Sequence, residues 1–187
     1  MSVLGLMKTT ILLASVLLAA SFVKGAEDDK PLPPAIQALS EALVTALQSG
    51  DGAAVTACWH TPAALGKLKG AASPKEEGAK KPVDPAKEEK RQTKNQEEAV
   101  QIVGQMRAMI TKYFGEVAQI KFSKVKADLD GDSPSDAPVY KDIDIHLLAA
   151  DGAHLKITVE EAIQIEGVWK FKGKLDDDLV LNLPDKA

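Results

Sequence analysis

The sequence predicts an α+β fold in which N-terminal helices pack on a curved antiparallel sheet, and two observations predict it. First, apolar residues recur at spacings of three and four in two early segments: Ile36, Leu39, Leu43 and Leu47, then Ile102, Val103, Met106, Met109, Ile110, Tyr113 and Phe114. Second, from Asp142 to Leu175 nearly every large apolar side chain falls on an odd number: Ile143, Ile145, Leu147, Leu155, Ile157, Val159, Ile163, Trp169, Phe171 and Leu175. Side chains alternate faces along a strand, so parity shared across two turns implies one sheet with one buried face. Glu161 breaks the rule, because its odd number would point a carboxylate at the core.

The elements follow in order. Between Lys8 and Lys24 there is no charge, and Ile11 to Ala20 is almost wholly apolar. That run is shorter than the about 20 residues of a membrane span and matches the core of a secretory signal. Residues 1–25 therefore read as a signal peptide cleaved after Gly25, against the competing reading of an uncleaved anchor. The product is expected to be exported, to the periplasm or the outside, with no membrane attachment after cleavage. Residues 26–34 are an acidic, proline-rich flexible lead, and 35–182 form a single domain. Within it, Pro34 to Ser49 is a helix that Gly50 stops in the left-handed conformation, and Asp51 caps a second helix. Thr61-Pro62 starts a third. Residues 66–94, dominated by Lys, Glu, Ala and Pro, are expected to be a disordered charged insertion. Order resumes at Asn95, whose pairing with Glu98 suits a capping box, and the helix ends at Gly115. Glu116 to Ala127 reads as a strand with a bulge before Val125.

Three strands follow. Ala150-Asp151-Gly152 suits a three-residue hairpin loop with Gly152 left-handed, pairing Ile143 with Val159, Ile145 with Ile157 and Leu147 with Leu155. Ile165-Glu166-Gly167 reads as the same turn, pairing Ile163 with Trp169 and Glu161 with Phe171.

Composition narrows the function classes. The formal charge of −4 gives no sign of a nucleic-acid surface. Aromatics are only 4% of residues, so the core should be aliphatic. Cys58 is the only cysteine, so no internal disulfide forms and stability must come from packing.

The helix junction Gln48-Ser49-Gly50-Asp51-Gly52-Ala53-Ala54 and the terminal Glu166-Gly167-Val168-Trp169-Lys170-Phe171 resemble the nuclear transport factor 2-like superfamily, over roughly 35–175 without the charged insertion. The resemblance implies a cone, with helices on the concave side of a bent sheet enclosing a pocket. It also implies a range of roles, from cofactor-free isomerases and dehydratases to small-ligand binders. No enzyme subfamily's catalytic set is present. The charged insertion departs from the family's compact pattern.

The candidate site residues are Trp59, His60, Glu161, Trp169 and Phe171 as the pocket lining. Glu161 is the catalytic candidate, since a carboxylate desolvated in a pocket titrates nearer neutrality and can move protons. A bulge at Glu160-Glu161-Ala162 would instead rotate it to solvent. Cys58 and His60 invite nucleophilic or metal chemistry, but residues two apart on a helix do not face each other. His146 and His154 flank the first hairpin on its polar face. Asp128, Asp130, Asp132 and Asp136 hint at calcium without the glutamate of an EF-hand loop. Asp176-Asp177-Asp178 reads as a solvated turn. No cofactor and no metal is expected. Three functions stay open: a non-catalytic module that binds a small apolar ligand or a protein; a cofactor-free lyase or isomerase with Glu161 as base, assisted by His60; and a structural protein with its pocket packed shut. The outer sheet face, with Asp142, Asp144, Lys156, Thr158, Glu160, Lys170 and Lys172, leaves a homodimer through the sheet open.

Overall fold

A computed structural model describes residues 32–71, 85–133, 138–177 and 180–182. Residues 1–31, which hold the expected signal peptide and most of the expected lead, lie outside the described residues. Within them the chain is α+β, with helices packed against an open antiparallel sheet.

Helix α1, Pro34–Ser49, opens on proline at its first position and buries the expected stripe of Ile36, Leu39, Leu43 and Leu47. It stops at Gly50, whose φ of 73° is left-handed and whose N–H donates to the Ala46 carbonyl. Helix α2, Gly52–Ala57, is capped by Asp51, whose Oδ1 accepts from the N–H groups of Ala53 at 2.9 Å and Ala54 at 3.3 Å. Helix α3 is Pro62–Ala71.

Helix α4, Pro85–Phe114, corrects the reading of the charged segment. The stretch expected to be an insertion is helical at both ends, and only residues 72–84 lie outside the described residues. Ten residues before Asn95 are already helix, because the buried stripe continues backward in polar residues. Glu88, Gln92, Asn95, Ala99, Val103, Met106 and Ile110 follow one another at spacings of three and four, and all are buried. Asn95 is therefore no cap; it sits inside the helix and 3% exposed.

After a short 3₁₀ turn at Val117–Gln119, five strands form four columns. They are β1, Lys121–Leu129; β2, Val139–Leu148; β3, His154–Ile165; β4, Val168–Phe171; and β5, Val180–Asn182. The order is β1-β2-β3, and β4 and β5 share the far edge of β3 in tandem. The strand expected from Glu116 starts at Lys121, and its register slips between Phe122 and Lys124, just before Val125. The β2–β3 register is the one expected, with Ile143 opposite Val159, Ile145 opposite Ile157 and Leu147 opposite Leu155. Gly152 at φ 84° makes the turn, and Asp151 Oδ1 accepts from the Ala153 N–H at 3.0 Å.

The β3–β4 register differs from the expectation by one residue. Glu166 and Gly167 both have positive φ, 51° and 81°, so the loop is a two-residue turn of the primed kind and pairs Ile165 with Val168. Ala162, not Glu161, lies opposite Phe171. The faces stay consistent because β3 changes parity as well. Val159 and Ala162 both point into the main core, with Glu160 and Glu161 between them. Strand β2 makes the same change beside it, at Asp142, whose φ of 49° is left-handed. Beyond this step Ile163 and Ile165 face outward and are buried by Leu65 of α3, beside Val139.

The main core is aliphatic. Ile36, Leu43 and Leu47 of α1 and Met106 and Ile110 of α4 meet Ile143, Ile145, Leu147, Leu155, Ile157 and Val159 of the sheet, all with relative exposure of 1% or less. Full burial of side chains of this size contributes about 1.5–3 kcal/mol each.

Candidate functional site

The site candidates gather where the chain leaves α2. Residues 58–60 run parallel to the end of β4: the Phe171 N–H donates to the Cys58 carbonyl and the His60 N–H to the Phe171 carbonyl, both at 2.9 Å. Trp59 lies against Phe171 with ring centroids 5.1 Å apart, and its indole N–H donates to the Gly173 carbonyl at 2.8 Å. Gly173 is required there. A Cβ at this position would sit 2.6 Å from the Glu160 Cβ and 2.8 Å from the Glu161 nitrogen, because the chain crosses β3 at its change of face.

His60 is buried and its Nε2 lies 3.0 Å from the Ile163 carbonyl. A carbonyl only accepts, so Nε2 carries the proton in this contact. Burial holds the imidazole pKa below its ordinary value; the Ile163 carbonyl opposes the shift and the nearby Lys170 charge adds to it. The His60 carbonyl accepts from the side-chain amides of Gln92 at 2.9 Å and Gln96 at 3.1 Å, and Asn95 Nδ2 donates to the Lys172 carbonyl at 3.3 Å. Gln92, Asn95 and Gln96 thus tie α4 to this junction. The sequence pointed to Asn95 only as a cap and not to Gln92 or Gln96; the spacing of Glu88, Gln92, Asn95 and Ala99 is the signal for Gln92 and Asn95.

Cys58 is a packing residue. Its Sγ lies 3.4 Å from the Ala54 carbonyl, and burial pushes its pKa up to about 11 although Lys170 pulls the other way. A thiol so protonated is a poor nucleophile and metal ligand.

Glu161 stands on the outer face of β3 with Ile163 and Ile165, and forms an ion pair with Lys172, Nζ to Oε2 2.9 Å, both side chains 24% exposed. Trp169 packs edge-on against Tyr140 at 5.5 Å on the inner face, and Phe171 is fully buried. Among the described residues the five candidates do not line one pocket. Trp59 and His60 border an open cleft of about 470 Å³ between α2, α3 and the β3–β4 hairpin, whose wall includes Ala53, Ala57, Ala64, Ile165 and Val168. Trp169 borders a separate groove against α1 and α2. Neither Glu161 nor Phe171 is among the residues lining either one.

The two motifs behind the family resemblance turn out to hold helix ends. The guanidinium of Arg107 donates to the carbonyls of Leu47 and Gln48, placing a cation at the C-terminus of α1. A side chain at Gly50 would meet that guanidinium at 2.8 Å. Gln48 Nε2 donates to the Ile120 carbonyl at 2.5 Å. In the second motif Lys170 Nζ donates to the Ala57 carbonyl at the end of α2.

Elsewhere, Asp130 accepts from the Asp132 N–H and from Lys141 Nζ at 2.9 Å, and that lysine holds its carboxyl below the usual range. Asp136 lies outside the described residues. Among the described residues no cluster of three histidine, cysteine, aspartate or glutamate side chains is placed to hold a metal, and no helix is long and apolar enough to cross a membrane. His146 faces Lys156 and Lys124 across the sheet, and His154 is exposed opposite Leu148.

In comparison with known proteins, the chain matches no family model, no curated protein and no solved structure.

Proposed function

We propose that the chain is an exported, non-catalytic binding module of nuclear transport factor 2-like architecture, which receives a small apolar ligand or an apolar side chain of a protein partner in the cleft beside Trp59 and His60. The observation that carries this reading is the cleft's composition. Beside Trp59 its apolar wall is built from Ala53, Ala57, Ala64, Ile165 and Val168, the last 51% exposed, and its polar groups are Thr56, His60, Thr61, Gln96, Glu166 and Lys170. Apolar walls with a few convergent polar groups are the usual make-up of ligand sites. The groups that could move protons or attack a substrate support a non-catalytic role, since Glu161 is engaged by Lys172, His60 by Ile163 and Cys58 is protonated.

The test is a thermal-shift screen of small apolar acids and alcohols, with an anilinonaphthalene sulfonate dye as fluorescent probe, on the wild type, Val168→Asp and Glu161→Gln. Stabilisation and dye binding should be equal in the wild type and Glu161→Gln and lost in Val168→Asp. Loss in Glu161→Gln with retention in Val168→Asp would move the site to the carboxylate and favour a cofactor-free lyase or isomerase. Absence of any ligand or dye response in the wild type would leave the cleft without a role.

A further inference from the structure

The chain carries a net charge of −4, yet one end of the outer sheet face is basic. Lys124, His146 and Lys156 are direct partners in a row across β1, β2 and β3. The neighbouring row holds Lys126 opposite Asp144, and the row beyond holds Lys121 opposite Leu148 and His154. Asp144 is already engaged by Lys156 Nζ at 2.9 Å and by the Thr158 hydroxyl at 2.7 Å. Lys121, Lys124 and Lys126 make no ion pair among the described residues. His146 Nε2 has no hydrogen-bond partner among them either. Burial, then Lys124, with Lys126 and Lys156 adding, holds its pKa below the ordinary value against the pull of Asp144.

Lys121, Lys124 and Lys126 line the same face of β1 with no ion pair among the described residues, so an anion lying along them would offset the repulsion among their charges. Among the described residues, helix α3 covers the outer face toward Ile163 and Ile165, at the other end. Lysines two residues apart along β1 are about 7 Å apart, and lysines two strands apart about 10 Å, which presents a grid of cations to a chain of repeating anions.

We infer that this face docks an acidic polysaccharide, along the row formed by Lys124, His146 and Lys156 and the flanking Lys121 and Lys126. The alternatives fit the surface less well. Nucleic-acid strands are held by aromatic stacking and duplexes by an element entering a groove. These rows of the sheet carry no Phe, Tyr or Trp. Anionic membranes are held firmly through buried apolar side chains, and of the residues paired across β1, β2 and β3 in these three rows only Leu148 is large and apolar. The face shares no residue with the cleft beside Trp59, so the two readings fail independently.

The experiment measures binding of the purified protein to immobilised heparin and polygalacturonate over a salt series. The wild type should bind and be released by salt. Lys121→Gln/Lys124→Gln/Lys126→Gln, whose side chains are exposed and form no ion pair among the described residues, should bind about tenfold or more weakly. The matching arginine triple should retain binding. A control triple of exposed lysines on α4, Lys87→Gln/Lys90→Gln/Lys112→Gln, should bind within about twofold of wild type. Failure of the wild type to bind either polysaccharide overturns the inference, as does equal loss in the control triple. Equal or tighter binding to duplex DNA or to vesicles of anionic lipid overturns the assigned partner.

Discussion

The two halves of β3 obey different rules. From His154 to Val159 the strand alternates cleanly, with Leu155, Ile157 and Val159 in the main core and Lys156 and Thr158 on the outer face. From Ala162 to Ile165 it is covered on both sides, with Ala162 in the main core and Ile163 and Ile165 under α3. The first half is one face of a two-layer structure. The second is the middle of three layers, and the change of parity at Glu160 and Glu161 is where the third layer begins. Period-two patterning identifies a strand with one wet face and loses its meaning where a helix covers the other.

Substitutions separate the halves. Ile157→Ala, in the regular half, should cost about 2–5 kcal/mol in chemical denaturation, since it opens a cavity in the main core. Ile163→Ala should fall at or below the lower end of that range, because its small cluster lies near the surface and can close over the gap; equal losses would show that α3 packs as firmly as the main core. Gly173→Ala tests the crossing between the halves and should cost about 1–3 kcal/mol by overpacking against the β3 backbone; an unchanged denaturation midpoint would mean the crossing tolerates a wider spacing. The imidazole of His60, which holds the Ile163 carbonyl, gives the three-layer half a pH dependence. Its folded pKa lies below the unfolded value of about 6.5, so the unfolded chain takes up the proton first. Stability should be full above that pH and decline below it. His60→Asn should flatten the melting temperature against pH, with His146→Gln as the comparison for the other shifted histidine. The smallest effect belongs to Glu161→Gln, about 1 kcal/mol or less, because its ion pair is part-exposed and screened by solvent.

Much of the fold is legible in the sequence where local signals are strong. The bounds of α1, the Asp51 cap and the β2–β3 register follow from Pro34, Gly50 and Asp151-Gly152 acting within a few residues of themselves. The second turn is misread by one residue because Glu166 adopts a left-handed conformation that side chains beyond glycine, asparagine and aspartate rarely take. The first part of α4 is misread because its buried stripe is Glu88, Gln92 and Asn95, which hydrophobic periodicity does not count. The site is less legible than the fold. Trp59 and His60 do border a cleft, but the partners that fix His60 come from α4 and β3, far along the chain. Glu161 is turned outward by a change of parity whose cause, α3 over Ile163 and Ile165, no local pattern announces.

The helix ends have a consequence for how the chain folds. Helix α1 is finished at its C-terminus by Arg107, α2 by Lys170, and the segment after α2 by Gly173, the last contact spanning 114 residues. The earliest helices therefore wait for some of the latest residues. Closing loops of that length costs entropy before any contact rewards it, so folding should be slow and all-or-none. A nascent chain halted after β3 would carry most of its apolar residues and Arg107, yet lack Lys170 and Gly173, which lock α2 and the segment after it. Assembly belongs to the completed polypeptide, after synthesis rather than during it.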